Sequence, residues 1–77
     1  MKEELLQFIL DNVTDTVKLK TTEHLQDGRN GTKIWFASKE RAHTIVRENF
    51  STDLVGHMPG DTAHIITIES WEVVNIG

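Results

Sequence analysis

The side chains of this chain that carry chemistry are four histidines, twelve carboxylates, eight cations and two tryptophans, with no cysteine and no tyrosine. His57 and His64 bracket Asp61 across a turn, the nearest the sequence comes to a metal-ligand set. Zinc held without cysteine needs several converging histidine or carboxylate ligands. No His-Glu-x-x-His or His-x-His pair supplies them, so no metal and no cofactor are expected. Ser38, Ser51 and Ser70 stand outside any Gly-x-Ser-x-Gly nucleophile elbow. No pair of carboxylates has a spacing that predicts an acid–base dyad. The chain is therefore read as non-enzymatic.

Two constellations point to binding instead. Gly28-Arg29-Asn30-Gly31 is a Gly-x-x-Gly loop, which between two helices can clamp a nucleic-acid backbone. Here the residues that follow, Lys33-Ile34-Trp35-Phe36-Ala37, read as a strand, so the loop is expected to be a hairpin turn. Lys18, Lys20, Lys33 and Arg29 cluster around that hairpin. Alternation puts Lys18, Lys20, Lys33 and Trp35 on one surface, a basic face with an aromatic of the kind that stacks single-stranded nucleic acid. The formal charge of −4 argues against that partner. The two tryptophans are the other constellation. Trp35 alternates with Ile34 and Phe36. If Ile34 and Phe36 face the helices, Trp35 lies on the open side of the sheet, with Trp71 beside it, as anchors for a protein partner.

These residues must be positioned by a small set of elements. Leu5, Leu6, Ile9, Leu10 and Val13 recur at helical spacing, with Phe8 widening the stripe, and predict a helix over Lys2–Asn12. Val17 and Leu19 alternate with Lys18 and Lys20 in a strand over Asp15–Thr22. Asp-Gly and Asn-Gly within Glu23–Gly31 turn the chain, and Thr32–Ala37 is the returning strand. Ser38 is an N-cap for a second helix over Lys39–Asn49, whose stripe is Ala42, Ile45, Val46 and Phe50. In the loop that follows, Leu54, Val55 and Met58 tuck under the fold, and Met58-Pro59-Gly60-Asp61 suits a type II turn. Ala63–Ile76 is β-branched. Ile66 and Ile68 share one parity and Trp71 and Val73 the other, so a bulge or break is expected near Ser70.

The order α-β-β-α-β, with a further strand if the last segment breaks, predicts an α+β fold. A small antiparallel sheet of three or four strands carries two helices on one face. All 77 residues read as a single domain. The acidic Met1-Lys2-Glu3-Glu4 start does not resemble a secretory leader, and no apolar run approaches membrane-spanning length. With no cysteine to staple so small a core, a cytoplasmic setting is expected. The functional expectation is a small protein-interaction module, accessory or inhibitor-like, binding a protein partner or a second copy of itself through the open sheet face. The alternative is a nucleic-acid-binding module that uses the basic hairpin and the Gly28–Gly31 loop.

Overall fold

A computed structural model describes residues 1–25 and 27–74. Gln26 of the hairpin loop and Ile76 of the last β-branched segment lie outside them. The elements are α1 (Lys2–Asn12), β1 (Thr16–His24), β2 (Asn30–Ser38), α2 (Lys39–Asn49), β3 (Val55–Gly56) and β4 (Ile66–Val74). The strands form one antiparallel sheet in the order β2-β1-β4-β3. β1 is central and β2 is an edge. α2 carries the chain from that edge across the sheet to β3 on the other side. The expected α+β fold is found, and its fourth strand arises within the loop after α2 rather than from a break in the last segment.

The alternation of β1 decides which face is covered. Val17, Leu19 and Thr21 are buried, and Val17 and Leu19 share one core with Leu5 and Ile9 of α1, Ala42 and Val46 of α2, and Leu54 from the loop. Leu10, expected in the α1 stripe, is exposed instead, as is Val55 beside the buried Leu54. Leu54 takes a left-handed backbone conformation, φ 63°. Its complete burial and the hydrogen bond from Ile68 N to its carbonyl, 2.9 Å, offset that cost.

The two helices run antiparallel and are cross-tied. Lys2 at the start of α1 donates through Nζ to the Arg47 carbonyl near the end of α2 (2.9 Å). Lys39 at the start of α2 donates to the Leu10 carbonyl near the end of α1 (3.2 Å). Each ammonium thus meets carbonyls at the negative end of the other helix. The Ser38 hydroxyl accepts from Arg41 N (3.3 Å), the N-cap that its position predicts.

The predicted bulge is present. Lys20 pairs with Ser70 and Thr21 with Ile68, which leaves Glu69 as the extra residue. The inserted residue flips the parity, so Ile66, Ile68, Trp71 and Val73 all reach the covered face.

Candidate functional site

The β1–β2 hairpin places most of the residues singled out by the sequence, and its register overturns part of that reading. Leu19 lies opposite Trp35 and Val17 opposite Ala37, so Trp35 and Ala37 share the covered face with the β1 core residues. Ile34 and Phe36, expected beneath the helices, stand on the open face opposite Lys20 and Lys18. They are 42% and 64% exposed. Lys33 pairs with Thr21 and belongs to the covered side, so Lys18, Lys20, Lys33 and Trp35 do not line one surface. Trp71 is also on the covered side, opposite Leu19. Its ring packs on Phe8 with centroids 6.4 Å apart and planes tilted by 58°. Neither tryptophan is an anchor on the open face.

Trp35 is half-buried and tied in place. Its indole Nε1 donates to Thr21 Oγ1 (2.9 Å), and that hydroxyl donates to the Lys33 carbonyl (3.3 Å). The Lys33 ammonium sits 4.7 Å from the centre of the Trp35 ring, a cation–π contact. Met58 and Pro59 from the loop after β3 lie beside this ring, together with Arg41 and Ile45 of α2, and enclose a cleft of about 170 Å³ along the covered side of β2. Asp61 N donates to the Met58 carbonyl (3.1 Å), and Gly60 holds φ 83°, which closes the turn expected there.

A histidine bridge borders the same region. His64 Nδ1 lies 2.7 Å from Asp61 Oδ1, and its Nε2 lies 3.3 Å from Glu23 Oε1. The hydrogen bond to Asp61, then the charges of Asp61 and Glu23, raise the imidazole pKa above its ordinary value. His57 does not join it and instead lines a surface recess with Thr44, Glu48 and Pro59. Among the described residues, no three histidine or carboxylate side chains are grouped to hold a metal ion.

The remaining cations divide into two kinds. Lys18 pairs with Glu72 across the open face (2.8 Å), and Arg29 folds onto Asp27 in the hairpin loop (2.6 Å). Lys20, Lys33 and Arg41 make no ion pair and no side-chain hydrogen bond among the described residues. All three flank β2. The loop itself is a hairpin turn. Gly28 N donates to the Leu25 carbonyl (3.1 Å), Leu25 N donates to the Arg29 carbonyl (2.9 Å), and Gly28 supplies the positive φ of 87°.

Sequence reading missed Ile34, Phe36 and Arg41 as exposed features around one strand. The signal that locates the first two was present. The Val17/Leu19 face of β1 is unambiguous, and the hairpin register carries that face directly to Trp35 and Ala37.

Comparisons with protein-family models, with curated proteins and with solved structures return no match, so the functional reading rests on this geometry alone. No helix among the described residues is long and apolar enough to cross a membrane.

Proposed function

We propose that this chain is a non-catalytic protein-interaction module, accessory or inhibitor-like, that docks its partner on the open side of the sheet along β2. One observation carries the reading: Phe36 and Ile34 stand two residues apart on the open face of an edge strand, the larger of them mostly in solvent. Large apolar side chains grouped on one surface element, rimmed by polar groups, are the usual mark of a protein contact. Lys18, Lys20 and Glu72 provide that rim around a shallow recess of about 350 Å³.

The nucleic-acid reading has less support. It retains Lys18 and Lys20 beside Phe36, but Glu72 neutralises Lys18, Asp27 neutralises Arg29, and Lys33 lies on the other side of the sheet. A strip of positive charge along one surface is therefore interrupted.

The test replaces Phe36 by the photo-cross-linking residue p-benzoylphenylalanine in cells that express the chain. A control carries the same residue in place of the exposed Glu48 of α2. A protein adduct formed from position 36, absent from position 48 and abolished by Ile34→Asp, is expected. Adducts to nucleic acid, equal adducts from both positions, or none at all would overturn the reading.

A further inference from the structure

The partner's chemistry follows from the edge of β2, an inference that rests on the reading just given. In an antiparallel ladder, hydrogen-bonded and non-hydrogen-bonded residue pairs alternate. Leu25 N donates to the Arg29 carbonyl beyond one end of the hairpin ladder, and Lys39 N donates to the Asp15 carbonyl beyond the other. Between them, the alternation assigns the inward bonds to the odd-numbered pairs, Val17–Ala37, Leu19–Trp35, Thr21–Lys33 and Glu23–Gly31. The N–H and C=O groups of Thr32, Ile34 and Phe36 therefore point outward, on an edge that no strand among the described residues covers. Natural sheets blunt such an edge with proline, a bulge, a very short strand or a charged side chain, lysine above all. β2 runs for nine residues with neither proline nor bulge, and Lys33 is its single charged side chain.

The geometry points to β2 as the docking edge for an extended acidic segment of another protein, added to the sheet as a further strand. Such a segment would pair its backbone with Thr32, Ile34 and Phe36. Alternate side chains then fall on the two sides of the sheet. One set lies against Ile34 and Phe36 on the open face. The other enters the cleft beside Trp35 and Ala37, where Ile45 and Met58 form an apolar floor with room for a branched aliphatic side chain. Charge selects the flanks. The three cations that make no ion pair among the described residues surround this one strand: Lys20 beside Ile34 on the open face, Lys33, over the Trp35 ring, and Arg41 on the cleft side. Glu23 and Asp61, which line the adjoining recess beside Trp35 and Met58, both contact His64, which offsets part of their charge when protonated. Aspartate or glutamate alternating with aliphatic residues is the complement to this arrangement.

A second copy of the chain does not fit as well. Pairing β2 with its symmetry mate antiparallel about the middle of the strand brings Lys33 of the two copies close together, and like charges there oppose association. Its own β2 carries no carboxylate between Asn30 and Ser38.

The experiment selects a random-peptide display library against the folded chain and synthesises the recovered peptide with a fluorescent label. Expected are peptides that alternate aliphatic and acidic residues and bind more weakly as salt rises. Arg41→Glu and Lys20→Glu each weaken binding roughly tenfold. Ile34→Pro removes an outward N–H without breaking the β1 ladder, and it abolishes binding, whereas Ile34→Thr keeps most of it. In the unmodified chain, the amides of Thr32, Ile34 and Phe36 exchange rapidly with solvent and become protected when the peptide is added. This last measurement stands even if a variant misfolds. No enrichment, peptides without an acidic bias, protection elsewhere, or a dimer by light scattering would each overturn the inference. If the cross-link from position 36 persists alongside such a result, the docking face stands and only the partner's chemistry is wrong.

Discussion

The two sides of β2 carry much the same residue types and have opposite fates. Trp35 and Ala37 are packed against α2 and the loop after β3, while Ile34 and Phe36, one position out of step, are left in water. Apolarity in β2 did not decide this, since the run Ile34-Trp35-Phe36-Ala37 is apolar at every position. The neighbour decided it. β1 alternates cleanly between Val17, Leu19 and Thr21 on one side and Lys18, Lys20 and Thr22 on the other, and pairing imposes that choice on the strand beside it. A fold thus uses one well-patterned strand to orient a poorly patterned one. The surplus apolar residues of the second strand are then available at the surface.

The largest effects should separate the two sides by stability. Leu19→Ala removes a fully buried side chain from the middle of the sheet, and urea denaturation should show a loss of about 3 kcal/mol. Phe36→Ser on the same hairpin should fall within about 0.5 kcal/mol of the unmodified chain, despite removing a larger side chain. Comparable losses at the two positions would mean that the open face is covered, and the comparison would fail.

A smaller effect tests how Trp35 is held. Thr21→Val keeps the shape but removes the hydroxyl that accepts from the indole and donates to the Lys33 carbonyl. A half-buried indole N–H without its partner should cost about 1–2 kcal/mol. The indole N–H resonance should shift toward its solvent-exposed position. An unchanged melt and an unchanged resonance would indicate that the ring is fixed by packing alone.

Much of this fold was legible from residue types at local spacing. The bounds of α1 and α2 followed from their stripes and, for α2, from the Ser38 cap. The bulge in β4 followed from the clash of parity between Ile68 and Trp71. What stayed hidden depended on contacts far apart in the chain. β3 is only two residues long, and it runs so close to Asn49 that a Cβ at Gly56 would strike the Asn49 carbonyl oxygen. The exchange of lysines between helix ends needs both helices in place. The candidate site suffered most, because assigning Trp35 to the open face treated β2 in isolation and ranked Ile34 and Phe36 as the better core pair. The cations were equally ambiguous. Lys18 and Lys20 look alike in sequence, yet only Lys18 has a glutamate across the sheet.

That difference gives a modest test on the open side. Glu72→Gln should release Lys18 at a cost of about 0.5 kcal/mol or less, shrinking as salt rises, because both partners are substantially exposed. Lys20→Gln, with no ion pair to lose, should leave stability unchanged in the same assay. A large loss from either would mean that the open face is more organised than an exposed rim.

The smallest effect concerns the histidine that joins the two sides at their rim. His64 links Glu23 of β1 to Asp61 in the turn that carries Pro59 over the cleft beside Trp35, and it is solvent-exposed. Its folded-state pKa is raised above the ordinary 6.5, chiefly by the hydrogen bond to Asp61. The sign follows: its contribution to stability is fully present below pH 6.5 and is lost as pH rises through the folded-state value. A proton NMR titration should place the His64 midpoint above 6.5. Asp61→Asn should lower that midpoint more than Glu23→Gln does, because it weakens the hydrogen bond that favours the imidazolium and removes the nearer charge. Resonances of Met58 and Trp35 should move with the same midpoint as the turn loosens on deprotonation. If His64 titrates at its ordinary value in the unmodified chain, the bridge is not populated in solution, and the rim of the cleft is held by the Met58–Asp61 turn and the packing of Met58 alone.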